Sequence, residues 1–432
     1  MNYRETLDYL YNRLPMFTRD GAAAYKKDLT NTLVLCSSLG DPQHQFRSVH
    51  IAGTNGKGSC SHALAAILQV SGYKTGLYTS PHLVDFRERI RINGQMIPEK
   101  KVIDFVESNK STIELIQPSF FEVTVALAFE YFASEKVDIA VIETGLGGRL
   151  DSTNVVNPLL SVITNIGKDH TNMLGDTLGE IAGEKAGIIK KGVPVVISEY
   201  QEEVADVFRK KAAETGSELI FASSCLHVNA VERDMAQQTI EVGAKDIRDT
   251  ITYEFDLLGT YQSKNLLGVL AAVDQLRSLG WSLPQDSVQA ALSKVRKLTG
   301  LRGRWEVLGH SPLLVCDTGH NADGWKEVMQ NINRTPHHNL HLVLGVMADK
   351  DLDEMLPVLP LEAKYYFCQV DLPRAMPARE LAQKAEAYGL LGQYYDNVLA
   401  ATAEALKMAD SQDLIFVGGS TFIVGDLLAN RI

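Results

Sequence analysis

The stretch between residues 49 and 70 constrains the fold of this chain more than any other part of the sequence. A short β-branched and apolar run, residues 49–51, leads into the sequence Gly53-Thr-Asn-Gly-Lys-Gly-Ser59, and an Ala- and Leu-rich helical pattern follows. A strand that enters a helix through a glycine-rich turn directs backbone N–H groups and the helix dipole at an anion. We therefore predict a phosphate cradle, in which Lys57 reaches the outer phosphates and the Ser59 hydroxyl holds Mg²⁺.

The spacing of this turn differs from the common phosphate-loop pattern, which has four residues between its glycines and Ser or Thr directly after Lys. Here only Thr54 and Asn55 separate the first two glycines, and Gly58 follows the lysine. An ordinary glycine-rich turn is therefore the alternative interpretation, and the rest of the chain has to decide between the two.

Strand and helix patterns alternate along most of the chain, which is typical of an α/β protein with a mostly parallel sheet covered on both faces. The predicted strands are residues 49–51, 75–79, 137–142, 159–165, 194–198 and 218–222, with helices at 64–70, 100–116, 123–134 and 178–189. Short alternating runs at 239–242 and 250–255 indicate a small appended β-sheet of antiparallel strands. Helices are then predicted at 265–279 and 286–297.

A cluster of glycine and arginine at residues 298–304 marks the predicted domain boundary, because the strand–helix alternation restarts after it. Strands are predicted at 313–316, 341–344, 365–367 and 414–417, and helices at 323–332, 380–387 and 398–408. The chain should therefore contain a large domain at residues 1–298 and a smaller α/β domain at residues 299–432. Ligand sites favour domain interfaces, so we expect the site in the crevice between the two.

Composition excludes several classes of protein. With 45% hydrophobic and 22% charged residues, the 432-residue chain resembles globular proteins. The net charge of −11 argues against nucleic acid or a membrane surface as partner, and no apolar run approaches the roughly 18 residues of a membrane span. The polar N-terminus shows no signal peptide, and the five cysteines form no C-x-x-C pair. We therefore predict a cytoplasmic protein with reduced thiols.

Polar side chains also follow other predicted strands. Glu143 stands at the carboxyl end of one, where a carboxylate can hold Mg²⁺ across from a phosphate loop or simply pair with Arg149. His170 follows another strand and can bind a metal or orient a phosphate, although a lone histidine is more often structural. Lys185 lies in a helical pattern, where a solvated side chain is the default. Asp317 follows the first strong strand of the second domain.

Together these stretches resemble the Mur ligase superfamily of ATP-dependent amide-bond-forming enzymes, and within it the folylpolyglutamate synthase/dihydrofolate synthase family. The motifs that carry the resemblance are residues 53–59, Thr79-Ser-Pro-His-Leu83 with residues 86–90, residues 143–154, Asp169-His170, residues 184–188 and residues 317–321. The resemblance implies a P-loop-type ATPase domain with the small appended sheet, followed by a smaller Rossmann-like α/β domain.

The resemblance also implies roles for individual residues. The implied ATP contacts are Thr54, Asn55, Gly56, Lys57, Gly58, Ser59, Asn265, Arg304, Asp317 and His320. The implied ligands of two Mg²⁺ ions are Ser59, Ser80, Glu143, His170 and Lys185. The implied catalytic residues are Lys57, Lys185 and His170, and Lys185 is expected to be carbamylated. The residues implied for the pterin-bearing substrate are Phe121, Glu122, Leu150, Asp151 and Ser152.

The function implied is ATP-dependent ligation of L-glutamate to a pteroate or folate carboxylate through an acyl phosphate, by a dihydrofolate synthase, a folylpolyglutamate synthase or an enzyme with both activities. Its partners would be these small molecules, and we expect a monomer because no long exposed apolar stripe stands out. A muramyl-type ligase is an alternative, although the roughly 50 residues before the phosphate loop are few for an extra domain. A nucleotide-dependent switch that does not ligate is the other alternative, disfavoured by the intact Lys57 and Glu143.

Overall fold

The computed structural model describes residues 1–21, 28–245 and 249–430, and the chain divides into two compact units. Unit 1 comprises Met1–Pro81, Arg87–Asp256 and Gln262–Leu301, and unit 2 comprises His82–Phe86, Leu257–Tyr261 and Arg302–Ile432. No sequence pattern marked the two short segments that join unit 2. These segments belong to unit 2 because their apolar side chains pack in its core. Leu258 lies in one hydrophobic cluster of unit 2, and Leu83 packs against the other.

A mixed sheet of eight strands forms the centre of unit 1, in the order β4-β3-β2-β5-β1-β6-β7-β8. Its strands are β1 (Arg47–Ala52), β2 (Thr75–Tyr78), β3 (Ile90–Ile92), β4 (Gln95–Met96), β5 (Ile139–Glu143), β6 (Leu160–Ile163), β7 (Val195–Ile197) and β8 (Leu219–Phe221). All neighbours from β2 to β8 pair in parallel, which confirms the predicted sheet. The unpredicted hairpin of β3 and β4 turns at Asn93-Gly94, both with positive φ, and this dipeptide is a strong hairpin signal.

The helices of unit 1 include five of the six that periodicity predicted, together with several that it did not predict, such as Glu202–Thr215. The helices are Tyr3–Arg13, Phe17–Asp20, Thr30–Ser38, Lys57–Val70, Glu99–Ile116, Phe120–Ser134, Thr171–Leu174, Leu178–Ala186, Glu202–Thr215, Ala222–Cys225, Gln262–Ser278, Gln285–Leu292 and Val295–Thr299. Lys57–Val70 is buried along most of its length, because its Ala- and Leu-rich sequence offers little polar surface to water. None of the helices in the described ranges is long and apolar enough to cross a membrane.

The predicted single helix at 286–297 is wrong, because the structure has two helices separated at Ser293 and Lys294. The Asp256 carboxylate accepts a hydrogen bond from the Arg296 N–H at 2.9 Å. It therefore satisfies a backbone N–H in the first turn of the second helix, as an N-terminal cap does. Asp256 directly follows the appended sheet of β9 (Leu226–Arg233), β10 (Gln238–Ala244) and β11 (Thr250–Phe255), which is antiparallel as predicted. Strand β9 was not predicted, since a bulge in its pairing with β10 interrupts its alternation.

Unit 2 is built on a six-stranded sheet in the order β12-β13-β17-β14-β15-β16. Its strands are β12 (Glu306–His310), β13 (Leu313–Asp317), β14 (Leu340–Leu344), β15 (Lys364–Phe367), β16 (Gly392–Tyr394) and β17 (Leu414–Gly418), and all pairs except β12 with β13 are parallel. The α-helices are Ala322–Arg334, Leu352–Met355, Ala378–Glu386, Val398–Met408 and Thr421–Ala429. Successive strand residues such as Leu314 and Val315 belong to different hydrophobic clusters, so both faces of the sheet are covered.

Candidate active site

The carboxyl ends of neighbouring parallel strands in unit 1 meet at one edge of the sheet, and predicted site residues follow them. Ile51 of β1 pairs with Glu143 at the end of β5, and Ala52 pairs with Ile163 at the end of β6. Tyr78, which ends β2, pairs with Ile142. The phosphate loop, Glu143 and the Ser80 segment therefore leave the sheet at the same edge, where ligands of α/β proteins bind.

The phosphate loop has the backbone shape of an anion cradle. Gly53 has φ +147°, and Gly56, which caps the helix Lys57–Val70, has φ +85°. A Cβ atom on Gly53 would lie 1.8 Å from Thr164 Oγ1, and one on Gly56 would lie 2.3 Å from Asn265 Oδ1. Positive φ therefore favours glycine at both positions, and a Cβ on Gly56 would in addition force the Asn265 side chain to move. This geometry is what the predicted phosphate cradle needs, and an ordinary glycine-rich turn has the same requirement.

The loop after β6 braces the cradle. Thr54 Oγ1 donates to the Gly167 carbonyl at 3.0 Å and accepts from the Gly167 N–H at 2.9 Å. The Asn55 N–H donates to Asn165 Oδ1, also at 2.9 Å. In this structure Thr54 and Asn55, which were predicted as ATP contacts, therefore hold the loop in shape.

A residue that the sequence analysis missed connects two predicted ligand groups. Gln262 Nε2 donates to Ser59 Oγ at 3.1 Å, and Gln262 Oε1 accepts from Asn265 Nδ2 at 2.9 Å. The available signal was spacing, because Gln262 precedes Asn265 by three positions and so lies one helical turn away. The predicted metal ligand Ser59 and the predicted ATP contact Asn265 are thus parts of one network.

Two lysines converge on the phosphate loop. Lys57 Nζ and Lys185 Nζ both donate to the Gly53 carbonyl oxygen, at 3.0 and 3.1 Å. Lys185 is only 3% exposed, so it is not the solvated lysine that its helical pattern suggests. Burial and the nearby Lys57 ammonium lower the pKa of Lys185 to about 7, against the opposing carboxylates of Asp169 and Asp151. A neutral amine is therefore accessible beside the cradle near neutral pH.

The predicted metal ligands offer a mixed donor set: Glu143 supplies carboxylate oxygens, whereas His170 supplies a ring nitrogen. Glu143 is 4% exposed at the end of β5. His170 has φ +52° and precedes a short helix, and its backbone N–H donates to Asp169 Oδ1 at 2.9 Å. In the ranges that the structure describes, no three His, Cys, Asp or Glu side chains form a metal site of their own. The Glu143 carboxylate suits Mg²⁺, which uses one or two carboxylates together with phosphate and water oxygens.

Asp151 organises the loop of residues 144–154, here called the glycine loop, which follows Glu143. Its Oδ2 accepts from the Leu146 N–H at 2.7 Å, and its Oδ1 accepts from the Thr153 N–H at 3.0 Å and the Thr153 hydroxyl at 2.5 Å. Burial raises the pKa of the Asp151 carboxyl, and these hydrogen bonds oppose the rise. A Cβ on Gly145 would lie 2.5 Å from Phe121 Cζ, so the loop packs on that ring. The structure thus brings Phe121 and Asp151 to one loop.

The other residues predicted for the pterin-bearing substrate differ in their surroundings. Ser152 is buried next to Asp151, and Leu150 is half-buried. Glu122 belongs to a helix cap: the Ser119 N–H donates to its Oε2 at 2.6 Å, and its own N–H donates to Ser119 Oγ at 3.3 Å. The Glu122 side chain therefore has a structural explanation, the capping box, that its sequence position did not reveal.

The glycine loop is fastened to the helix that carries Lys185. The Arg149 N–H donates to the Glu184 carbonyl at 2.8 Å, and its guanidinium donates to Glu184 Oε1 at 2.7 Å. Asn154 Nδ2 donates to the carbonyls of Arg149 and Gly187 at 3.0 and 3.1 Å. Arg149, considered above as a partner of Glu143, thus ties the loop to the helix Leu178–Ala186.

In unit 2, Asp317 lies at the centre of a separate network. Its Oδ2 accepts from the Tyr261 hydroxyl at 2.5 Å and from the Trp305 N–H at 2.7 Å, and its Oδ1 accepts from the Gly319 N–H at 2.8 Å. Burial raises the pKa of Asp317, whereas Tyr261 and Arg304 lower it. Tyr261 comes from one of the two segments that sequence analysis did not place in this unit.

The other two predicted ATP contacts of unit 2 both bond to Thr318, in the turn that follows β13. Arg304 donates to Thr318 Oγ1 and, at 3.2 Å, to the Gly303 carbonyl. His320 Nδ1 lies 3.0 Å from the Thr318 carbonyl oxygen. Arg304, Asp317 and His320 are therefore brought together in unit 2 by the turn that follows β13.

Comparison with known proteins gives two family matches that together follow this architecture. Residues 51–273 match the Mur ligase middle domain, and residues 303–421 match the Mur ligase, glutamate ligase domain. The first match contains the phosphate loop, Glu143, His170, Lys185 and Asn265. The second match begins just before Arg304 and contains Asp317. The two domains with this loop define a Mur-type ligase.

Individual relatives indicate which family of Mur ligases this chain belongs to. The dihydrofolate synthase/folylpolyglutamate synthase of Bacillus subtilis is 33% identical over 98% of both chains. The probable bifunctional folylpolyglutamate synthase/dihydropteroate synthase of Haloferax volcanii is 34% identical over 99% of this chain, which spans 50% of that protein. Escherichia coli FolC, solved in complex with DHPP and ADP, has a TM-score of 0.86 at 26% identity, covering 99% of this chain and 97% of that one. The chain belongs to the folylpolyglutamate synthase/dihydrofolate synthase family of Mur ligases.

Proposed function

We propose that this chain is an ATP-dependent ligase that joins the amine of L-glutamate to the carboxylate of a pteroate or folate. It would act as a dihydrofolate synthase, as a folylpolyglutamate synthase, or as both. One observation carries the proposal: a glycine cradle with Lys57 and Lys185 on the Gly53 carbonyl, in a chain similar over its whole length to enzymes of this name. The ADP in the FolC complex supports ATP as the nucleotide.

The reaction proceeds in two group transfers. A substrate carboxylate oxygen bonds to the γ-phosphorus of ATP as the bond to the β-phosphate oxygen breaks, which releases ADP and leaves an acyl phosphate. The glutamate amine then attacks the acyl carbon, loses a proton and expels phosphate. The cradle N–H groups and Lys57 hold and neutralise the phosphates, so the chain contributes mainly positioning and charge compensation.

Magnesium would supply further charge neutralisation on the phosphates. The residues proposed to hold it are Ser59, Ser80, Glu143, His170 and Lys185, with two sites in all. Ser59 is already oriented by Gln262, and Glu143 is fixed at the strand end beside the cradle. Asn265, Arg304, Asp317 and His320 are proposed as the remaining ATP contacts. The enzyme is proposed to be a cytoplasmic monomer without nucleic-acid or membrane partners.

Carbamylation of Lys185 is part of the proposal. The neutral amine attacks CO₂, a nitrogen–carbon bond forms and one proton is released, which leaves an anionic carbamate. Burial lowers the Lys185 pKa to about 7, which supports the needed neutral amine. The carbamate anion would attract the Lys57 ammonium and Mg²⁺, whereas an ammonium on Lys185 would repel both. Lys185→Ala should be nearly inactive, and formate or acetate should partly restore it. A fully active Lys185→Ala would contradict carbamylation.

A substrate panel tests the proposed function. Dihydropteroate, tetrahydrofolate and methylene-tetrahydrofolate are each incubated with ATP, Mg²⁺ and L-glutamate, and ADP release and product mass are measured. We expect glutamate-dependent ADP release with at least one acceptor. A muramyl-type ligase would ignore all three, and a nucleotide switch would hydrolyse ATP slowly whether or not the acceptors were present. Absence of any ligated product would refute the proposal.

A further inference from the structure

A buried chain of hydrogen bonds connects the strand that carries the phosphate loop to the glycine loop. His50 Nε2 lies 2.8 Å from Thr153 Oγ1, and Thr153 Oγ1 lies 2.5 Å from Asp151 Oδ1. His50 and Thr153 are fully buried, and Asp151 is 2% exposed. His50 belongs to β1, three residues before Gly53. No role has been given above to His50, and Thr153 has appeared only as a hydrogen-bond partner of Asp151.

The direction of each hydrogen bond follows from the carboxylate at the end of the chain. An ionised carboxylate can only accept, so the Thr153 hydroxyl gives its single proton to Asp151. The Thr153 oxygen then accepts from His50, which must carry its proton on Nε2 and leave Nδ1 bare. Across the described ranges Nδ1 has no hydrogen-bond partner, as a neutral ring of this tautomer allows. Burial also lowers the pKa of His50 to about 3, so the ring stays neutral.

The position of Asp151 decides the shape of the glycine loop. Its two oxygens bind the loop at both ends, since Oδ2 accepts from the Leu146 N–H and Oδ1 accepts from Thr153. Between them, Gly145 packs on the Phe121 ring. A rotation of the Asp151 carboxylate would therefore release the Leu146 backbone and change the surface next to Phe121.

We propose that His50 and Thr153 are positioning residues for the pteroate or folate substrate, acting through Asp151 on the glycine loop. The inference rests on the proposed function and on the family resemblance, which implies that Phe121 and Asp151 border that substrate. Because His50 lies on β1, the chain of hydrogen bonds also ties the loop to the strand that presents the phosphate loop. Its loss should weaken binding of the acceptor, with little change in the binding of ATP.

The test compares Thr153→Val, which keeps the side-chain shape without the hydroxyl, with Thr153→Ser, which keeps the hydroxyl. Loss of a hydrogen bond to a buried carboxylate should raise the KM for the acceptor by about ten- to a hundredfold. The KM for ATP should change by less than about threefold, and Thr153→Ser should resemble the wild type. His50→Gln, which can still donate to Thr153, should likewise retain more acceptor binding than His50→Leu.

A second buried histidine–threonine pair provides the matched control. Thr299 Oγ1 lies 2.8 Å from His62 Nδ1, and both residues are buried in unit 1. Thr299→Val removes the same kind of bond away from the glycine loop. It should lower thermal stability as Thr153→Val does, but it should leave the KM for the acceptor unchanged.

Several results would overturn the inference. One is an unchanged KM for the acceptor in Thr153→Val, and another is an equal increase in the KM values for acceptor and ATP. The others are a rise in acceptor KM in Thr299→Val as large as in Thr153→Val, or in Thr153→Ser as large as in Thr153→Val. A wild-type chain that ligates no acceptor would refute the proposed function instead. Calorimetric binding of dihydropteroate would then decide the inference separately: binding weakened at least tenfold in Thr153→Val supports it, and equal or absent binding in both chains overturns it.

Discussion

Replacing Gly56 by alanine should damage both stability and ATP binding. The residue has φ +85°, and the new Cβ would lie 2.3 Å from Asn265 Oδ1. A left-handed backbone costs a residue with a Cβ about 1–2 kcal/mol. Moving Asn265 also breaks its hydrogen bond to Gln262, which costs about 1 kcal/mol more. The free energy of unfolding should therefore fall by about 2–3 kcal/mol.

The same displacement should weaken ATP binding, because Asn265 is a proposed ATP contact. A loss of about 1.4 kcal/mol corresponds to a tenfold increase in Kd, so we expect an increase of roughly tenfold or more. The assays are urea unfolding for stability and isothermal titration calorimetry for the ATP Kd, both on the full chain.

Gly72→Ala is the matched control. Gly72 also has positive φ, +95°, but a Cβ there would meet nothing within 4 Å. It should lose only the backbone contribution of about 1–2 kcal/mol and bind ATP normally. The double variant Gly56→Ala/Asn265→Ala should lose less stability than the sum of the two single variants, because Asn265→Ala removes the side chain that the new Cβ at position 56 would clash with. Equal stability losses in Gly56→Ala and Gly72→Ala, with an unchanged ATP Kd, would refute the cradle geometry.

Three further predictions concern the lysines and the second unit. Lys57→Ala should lower kcat by about 10²–10⁴, the scale of a lost electrostatic stabiliser, and Lys57→Arg should not rescue it; activity within a few-fold of wild type would make the loop structural. Between the folded Lys185 pKa of about 7 and its ordinary 10.5, the unfolded chain binds more protons, so stability should rise with pH. Urea unfolding of the uncarbamylated chain in CO₂-free buffer should show this rise flattened in Lys185→Met, and equal slopes would contradict the lowered pKa of the Lys185 amine. A chain of residues 1–298 should bind nucleotide weakly and not ligate, because it lacks Arg304 and Asp317; full ligase activity would contradict their proposed role.

Features set by short-range pattern were predictable from the sequence. The strand, glycine turn and helix around Gly53–Ser59 follow from local periodicity and from the backbone freedom of glycine. The parallel sheets and the position of Glu143 at a strand end follow from the alternation of elements, since carboxyl ends of parallel strands share one edge. The helix break at Ser293 did not follow, because it depends on Asp256, 40 positions from the N–H that it caps.

The sequence by itself therefore determined the α/β class, the phosphate loop and the family of motifs in this chain. Tertiary structure alone decided that Lys185 is buried on the Gly53 carbonyl, 132 positions away, and that His50 reaches Thr153, 103 positions away. It also assigned residues 82–86 and 257–261 to the second unit. The physical reason is that burial and hydrogen-bond partners are set by three-dimensional packing. A periodic sequence pattern is the same whether its lysine or histidine faces water or bonds to a carbonyl oxygen in the interior.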